Sequence, residues 1–294
     1  MTATLIVLGS ANTDFTVLVD RHPQPGETLL GGDLVTATGG KGANQALAAA
    51  RAGAMPVFLG AVGADAQGRA MLDALGAGGV DVSSALTIED ASTGVALITV
   101  SRDGENTIVV APGANGRLTT DAVVPLVRDL AGPRTVLLAQ LEVPLDVVVA
   151  AADAVEQAGG RVVLNLSPSA EVPDALLALC DPLVVNESEA HDLTGDSVDS
   201  IDGATAVAVG LLGRCRSVVV TLGGDGAVFA SESACGHVAA PRVTVVDTTG
   251  AGDAFVGAVC AELAEGAELE AAVERGVAAG AAATQWRGAQ PPRG

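Results

Sequence analysis

Val245-Val246-Asp247-Thr248-Thr249-Gly250-Ala251-Gly252-Asp253-Ala254-Phe255 runs from a β-branched segment through a glycine turn into an Ala- and Val-rich stretch with helical apolar spacing. The pattern predicts a strand over 243–246 and a helix from 254 onward, with residues 250–253 at the helix N-terminus. Backbone N–H groups there lack intrahelical partners, and glycines let an anion approach them closely. A carboxylate at Asp253 is out of place in a site that only binds phosphate. It fits a site where a hydroxyl gives up its proton while attacking a phosphoryl group, with the amides of Gly250, Ala251 and Gly252 stabilising the developing charge. The alternative is an ordinary helix cap, for which Asp is well suited.

Outward from this stretch the chain alternates strand and helix signals. Short apolar runs at 5–8, 57–61, 135–138, 161–164, 183–185, 217–222 and 227–230 read as strands. Helical patterns fall at 40–52, 66–75, 147–158, 175–179 and 204–212, with two more after residue 254. This alternation predicts an α/β fold with a doubly wound, mostly parallel sheet covered by helices. Segments 15–19 and 29–38, split by Pro23, Pro25 and Gly26, and a hairpin over 95–100 and 107–110 interrupt it. They predict a small inserted β-sheet lid, about 13–38 and 93–111, on a single domain spanning 1–294.

Of the 294 residues 49% are hydrophobic and 17% charged, enough for a large core, and the net charge of -20 argues against nucleic acid or an anionic membrane as partner. Neither a secretory leader nor a long apolar run is evident, so a cytoplasmic protein is expected. Cys180, Cys215, Cys235 and Cys260 are scattered without C-x-x-C spacing and read as reduced core thiols.

Polar residues gather just after the strand ends: Asn12 and Asp14, Gln140 and Glu142, Asn165, Asn186 with Glu187 and Glu189, and Thr221. In α/β sheets such ends converge on a ligand cleft. Asn186-Glu187-Ser188-Glu189 could hold Mg²⁺ through waters, or could simply form a capping box. Gly39-Gly40-Lys41-Gly42 is no P-loop, because Gly42 follows Lys41. Gly250-Ala251-Gly252 is a poor dinucleotide fingerprint, since Phe255 occupies the last glycine position. Only five aromatic residues occur in the chain, Tyr not among them. An acceptor pocket with so few rings to stack on a nucleobase suits a small polyhydroxy sugar better.

Six motifs in order carry a resemblance: Gly9-Ser10-Ala11-Asn12-Thr13-Asp14, Pro25-Gly26-Glu27-Thr28, Gly39-Gly40-Lys41-Gly42-Ala43-Asn44-Gln45, Val62-Gly63-Ala64-Asp65, Asn186-Glu187-Ser188-Glu189, and the segment from Asp247 to Asp253. Over nearly its whole length the chain resembles the ribokinase family of sugar and nucleoside kinases. The resemblance implies ATP-dependent phosphorylation of D-ribose to ribose 5-phosphate, with deoxyribose, fructose-type sugars or nucleosides as alternative acceptors. A non-catalytic sugar-binding regulator on the same fold is the other class of function. It further implies that Asn12, Asp14, Gly40, Lys41, Asn44 and Glu142 line the sugar site beside Asp253 as base. Asn186, Glu189, Thr221, Gly223, Gly226, Gly252 and Val277 would face ATP and its Mg²⁺. K⁺ or another monovalent cation would sit among Asp247, Thr249, Ala283, Trp286 and Gly288. Pro292 stands where relatives can offer a hydroxyl to that cation, and the chain ends at Gly294 where relatives run on. The lid implies a homodimer.

Overall fold

The computed structural model describes residues 4–291. The chain begins with β1 (Thr4–Leu8), β2 (Asn12–Leu18), β3 (Leu34–Gly39), helix α1 (Lys41–Arg51), β4 (Val57–Leu59), β5 (Ala61–Gly63), α2 (Ala66–Ala77) and β6 (Leu86–Ile88). It continues with β7 (Gly94–Val100), β8 (Asn106–Ala111), a 3₁₀ turn (Gly113–Arg117), α3 (Thr120–Leu130), β9 (Thr135–Ala139), α4 (Leu145–Gln157), β10 (Arg161–Asn165) and α5 (Asp174–Leu177). The last part holds β11 (Cys180–Asn186), α6 (Glu187–Thr194), α7 (Ile201–Leu211), β12 (Ser217–Thr221), β13 (Ala227–Ser231), β14 (Cys235–Val238), α8 (Ala251–Ala264) and α9 (Leu269–Ala283).

The main sheet has eight strands in the order β14-β13-β12-β11-β10-β9-β1-β4, parallel except for the β12-β13 and β13-β14 pairs. Both faces are buried, which is why its strands read as continuous apolar runs. Ile6, Leu8, Leu137 and Leu164 point into one apolar layer, while Leu5, Val7, Val136, Leu138 and Val163 point into the other. The chain leaves β1 toward β4 on one side and β9 lies on the other, so a crevice opens at the carboxyl ends of these strands.

The lid is a separate four-stranded sheet, β3-β2-β7-β8. The expected hairpin is β7 and β8. Pairing of β2 with β7 is parallel, and Asp14 sits level with Ala37 and Ala96. Asp65, the cap of α2, also accepts from Thr93 N (2.8 Å) and its hydroxyl (2.6 Å), tying the start of β7 to the body.

Several expectations are corrected. Residues 243–246 form no strand. Val245 and Val246 are exposed, and the N–H groups of Val246 and Asp247 donate to Thr284 O (2.8 and 3.1 Å), so the end of α9, not a sheet edge, takes this backbone. Residues 29–33 are loop, and Leu30 is 97% exposed, because the β3 pairing starts only at Leu34 opposite Val17. The single run at 57–61 is two strands in two sheets, broken at Gly60, where a Cβ would lie 2.5 Å from Gly9 O. Helix α3 was hidden by Pro125, which cannot donate a backbone hydrogen bond inside it. Cys180, Cys215 and Cys260 are buried free thiols, but Cys235 is exposed on the edge strand β14. Among the described residues no helix is long and apolar enough to cross a membrane.

Candidate active site

The site forms where α1 and α8 meet over the strand ends. Their crossing is close because Gly257 has no side chain: a Cβ there would lie 2.5 Å from Gln45 O and 2.6 Å from Ala48 Cβ. This approach lets α1 reach the first turn of α8. Asn44 Nδ2 donates to Asp253 Oδ2 (3.0 Å), and Gln45 Nε2 donates to Asp253 Oδ1 (2.9 Å). Both oxygens of the carboxylate are therefore held by neighbouring residues of one helix.

Burial pushes the Asp253 carboxyl above its ordinary value. Lys41 and the two amides oppose the shift without reversing it, and the charge of Glu142 adds to it. A carboxylate raised in this way takes a proton from a hydroxyl more readily than an exposed one. No cap hydrogen bond involves the Asp253 side chain: Gly250 is the N-cap, in the left-handed region at φ 76°, and the cap reading of Asp253 falls.

A cleft of about 170 Å³ is lined by Lys41, Asn186, Thr221, Gly250, Gly252 and Asp253, among others. Ala251 differs from its glycine neighbours. Its N–H donates to Thr248 O (3.1 Å) and it does not line the cleft, whereas the amides of Gly250 and Gly252 have no acceptor among the described residues. The backbone N–H of Asp253 likewise has no acceptor among the described residues, so the helix start offers three free donors with the helix dipole behind them. A larger hollow of about 930 Å³ lies between Thr36, Thr38 and the helices α1 and α2, and contains none of these residues.

On the lid side, Asp14 lies over Gly39, where a Cβ would come within 2.2 Å of its Oδ2. Burial, then the charges of Glu142 and Asp253, push the Asp14 carboxyl up to about 6. Glu142 Oε2 accepts from the Ser10 hydroxyl and from Lys41 N (3.0 Å), the latter at the start of α1. Gly40 takes φ 87° with its Cβ position 2.8 Å from Asn12 N, which only glycine tolerates. Asn12, Asp14, Gly40, Lys41, Asn44, Glu142 and Asp253 are thus brought together from β2, α1, the β9 exit and α8.

The remaining residues divide. Asn186 and Glu189 line the cleft and also form a complete capping box, Glu189 N to Asn186 Oδ1 (2.8 Å) and Asn186 N to Glu189 Oε2 (2.9 Å). Gly223 and Gly226 make the turn into β13, where a Cβ on Gly226 would strike Val238 O at 1.9 Å. Val277 is 6% exposed, packed in the apolar layer with Phe255 and Val259, and does not line the cleft. Asp247 ties two loops together, accepting from Thr249 N (2.9 Å) and its hydroxyl (2.7 Å) on one oxygen and from Gly288 N (2.8 Å) on the other. Burial acts to raise its carboxyl, but the donors from Gly288 and Thr249 outweigh this and hold it below the ordinary range. Ala283 is the last residue of α9, and Trp286 follows in the same second loop. Pro292 lies outside the described residues.

The sequence reading gave no role to Gln45 or Ser10, both of which stand in quoted motifs, nor to Asn115 or to Gln290, whose Nε2 donates to Asn44 Oδ1 (2.8 Å). Gln45 could have been found as a polar residue on the buried, Ala-rich face of α1, and Asn115 as an amide at the loop returning from the lid.

The family model described as pfkB family carbohydrate kinase matches residues 2–293. The chain is 38% identical to the ribokinase of Haemophilus influenzae, over 99% of this chain and 95% of that protein. It superimposes on the Arabidopsis thaliana ribokinase complexed with ribose and ATP with a TM-score of 0.90 at 32% identity, covering 98% of this chain and 94% of that one. The Escherichia coli phosphofructokinase-2 in complex with potassium gives a TM-score of 0.81 at 28% identity, covering 98% and 95%.

Proposed function

The chain belongs to the pfkB family of carbohydrate kinases and is an ATP-dependent sugar kinase, and from that premise we propose that its acceptor is D-ribose, phosphorylated at the 5-hydroxyl. The observation that carries the reading is the half-buried Asp253 carboxylate gripped by Asn44 and Gln45, in one cleft with the free amides of Gly250 and Gly252. The sugar oxygen attacks the terminal phosphorus of ATP, the bond to the ADP oxygen breaks, and the hydroxyl proton passes to Asp253. Charge building on the transferred group meets the two amides and Lys41.

Asn12, Asp14, Glu142 and Asn44 supply the carboxylates and amides that clamp the other sugar hydroxyls. A pocket built to bond a hydroxyl is left with unpaired buried groups when that hydroxyl is missing, which disfavours 2-deoxyribose. The ribokinase relatives, one of them solved with ribose and ATP, support this choice.

Asn186 and Glu189 would hold Mg²⁺ through waters, and the hard oxygens lining the cleft suit that ion. The ion neutralises phosphate charge when bound with ATP. An activating monovalent cation would be held by Asp247, Thr249, Ala283, Trp286 and Gly288. The loops there are already joined by a carboxylate whose ionised form is favoured. Exposed Leu34, Val35, Leu97, Ile108, Val109 and Val110 leave the lid with apolar surface for a second copy, so the working unit is a homodimer.

The test is ADP release measured over pentoses, hexoses and nucleosides. D-Ribose is expected to give the highest kcat/KM, with 2-deoxyribose at least about tenfold lower. In parallel, Asp253→Asn is expected to lower kcat by about 10²–10⁴. A nucleoside or hexose at the top of the panel rejects the acceptor, and a near wild-type kcat in the variant rejects the base.

A further inference from the structure

Gln45 is fully buried. Its amide has two N–H donors and two lone pairs to place. Nε2 donates to Asp253 Oδ1 (2.9 Å) and to Asn165 Oδ1 (2.9 Å), while Oε1 accepts from Gln140 Nε2 (2.6 Å). Turning the amide over would set its oxygen against two oxygens and its NH₂ against another NH₂, so one orientation is enforced. Gln140 is also fully buried, and its own Oε1 has no donor among the described residues. An apolar side chain would fill the same space without that orphaned acceptor, so packing alone does not account for the pair.

Resting on Asp253 as the base, we propose that Gln45 is a positioning residue that holds Asp253 Oδ1 and keeps Oδ2 turned to the acceptor hydroxyl, with Gln140 fixing the Gln45 amide. Asn44 donates to Oδ2 and leaves that oxygen a lone pair for the hydroxyl. The chain Gln140, Gln45, Asp253 consists of N–H donors only, so it stabilises the ionised carboxylate.

The other charged groups acting on Asp253 are Lys41 from α1, Glu142 from the β9 exit and Asp14 from the lid. None of them is altered by changing Gln45. Removing the Gln45 donor therefore shifts proton uptake by Asp253 in a predictable direction: the protonated form is favoured, and the acidic limb of the kcat–pH profile moves up.

For Gln45→Leu we expect kcat lowered by about tenfold or more, the acidic limb raised by about one pH unit, and the sugar KM within about twofold of wild type. A folded Gln45→Leu protein with an unmoved limb, or a loss confined to KM, overturns the proposal. If that variant does not purify folded, Gln45→Glu keeps the size and sets a second carboxylate beside the base, so the limb must rise. An unchanged limb there overturns the proposal equally. Asp253→Asn in the same series separates the two readings. If Asp253→Asn abolishes turnover while Gln45→Leu leaves the limb in place, only the role of Gln45 fails. If Asp253→Asn stays active, the base fails and the positioning role with it.

Discussion

Asn115 Nδ2 donates to Asn12 Oδ1 at 2.8 Å, across 103 residues of sequence. Asn115 is itself locked, accepting from Ala11 N (2.9 Å) and donating to Ala11 O (3.1 Å). With its oxygen occupied in this way, Asn12 has only its NH₂ left to offer, and in the proposed sugar site that group calls for an accepting hydroxyl. Asn115→Ala frees Asn12 to turn over, and the sugar KM is expected to rise about tenfold with kcat little changed. Initial rates over a range of sugar concentrations decide it, and an unaltered KM counts against the arrangement.

Burial, then the charges of Glu142 and Asp253, hold the Asp14 carboxyl well above the usual carboxylate range, at about 6. A carboxyl raised in the folded state costs stability once ionised: nothing below about pH 4, increasing through the interval to about 6, and fully above it. Asp14→Asn is accordingly expected to raise stability at pH 8 by roughly 1–2 kcal/mol, less than a full two-unit shift because the group is partly open to water, and to have no effect near pH 4. Thermal unfolding at the two pH values measures this. In the wild type the sugar KM should rise as pH falls below about 6, where the carboxylate clamp is lost, and this limb should be absent from Asp14→Asn.

Gly257 sets the α1-α8 distance. A methyl group there meets Gln45 O at 2.5 Å, a backbone atom that cannot turn aside. Gly257→Ala should destabilise the protein by about 1–3 kcal/mol. It should also lower kcat, because parting the helices lengthens the Asn44 and Gln45 bonds to Asp253. Equal stability and rate would mean that the helices accommodate the methyl group freely.

K⁺ should raise turnover more than Na⁺, since Asp247 links the loop before the anion site to the loop through Gly288. Asp247→Ala should remove the difference. Identical rates in K⁺, Na⁺ and a bulky organic cation would exclude such a site.

The lid should hold two copies together at micromolar concentration. Ile108 and Val110 are 51% and 52% exposed, alternate on β8, and fall on the Asp14 side of the sheet by register. Ile108→Lys should give a monomer by light scattering. A monomeric wild type would remove the lid as an interface.

By itself the sequence determined the layered architecture and the glycine turn at the start of α8. Runs such as those of β1, β9 and β10 bury both faces of a strand, and that requirement is written in consecutive residues. The turn from Gly250 to Asp253 is equally local, since a left-handed glycine followed by an Ala-rich helix needs no distant partner. Only the tertiary structure decided what each polar group does. Residues 243–246 have strand composition, yet the end of α9 takes their N–H groups. Ala251 belongs to the glycine turn, yet its amide bonds Thr248. Asp253 could cap a helix in any sequence. It is held as a half-buried carboxylate because Asn44 and Gln45, 209 and 208 residues away, reach it across a helix crossing that one missing Cβ at Gly257 permits. Local pattern encodes backbone conformation and burial, whereas hydrogen-bond partners depend on how closely distant elements approach.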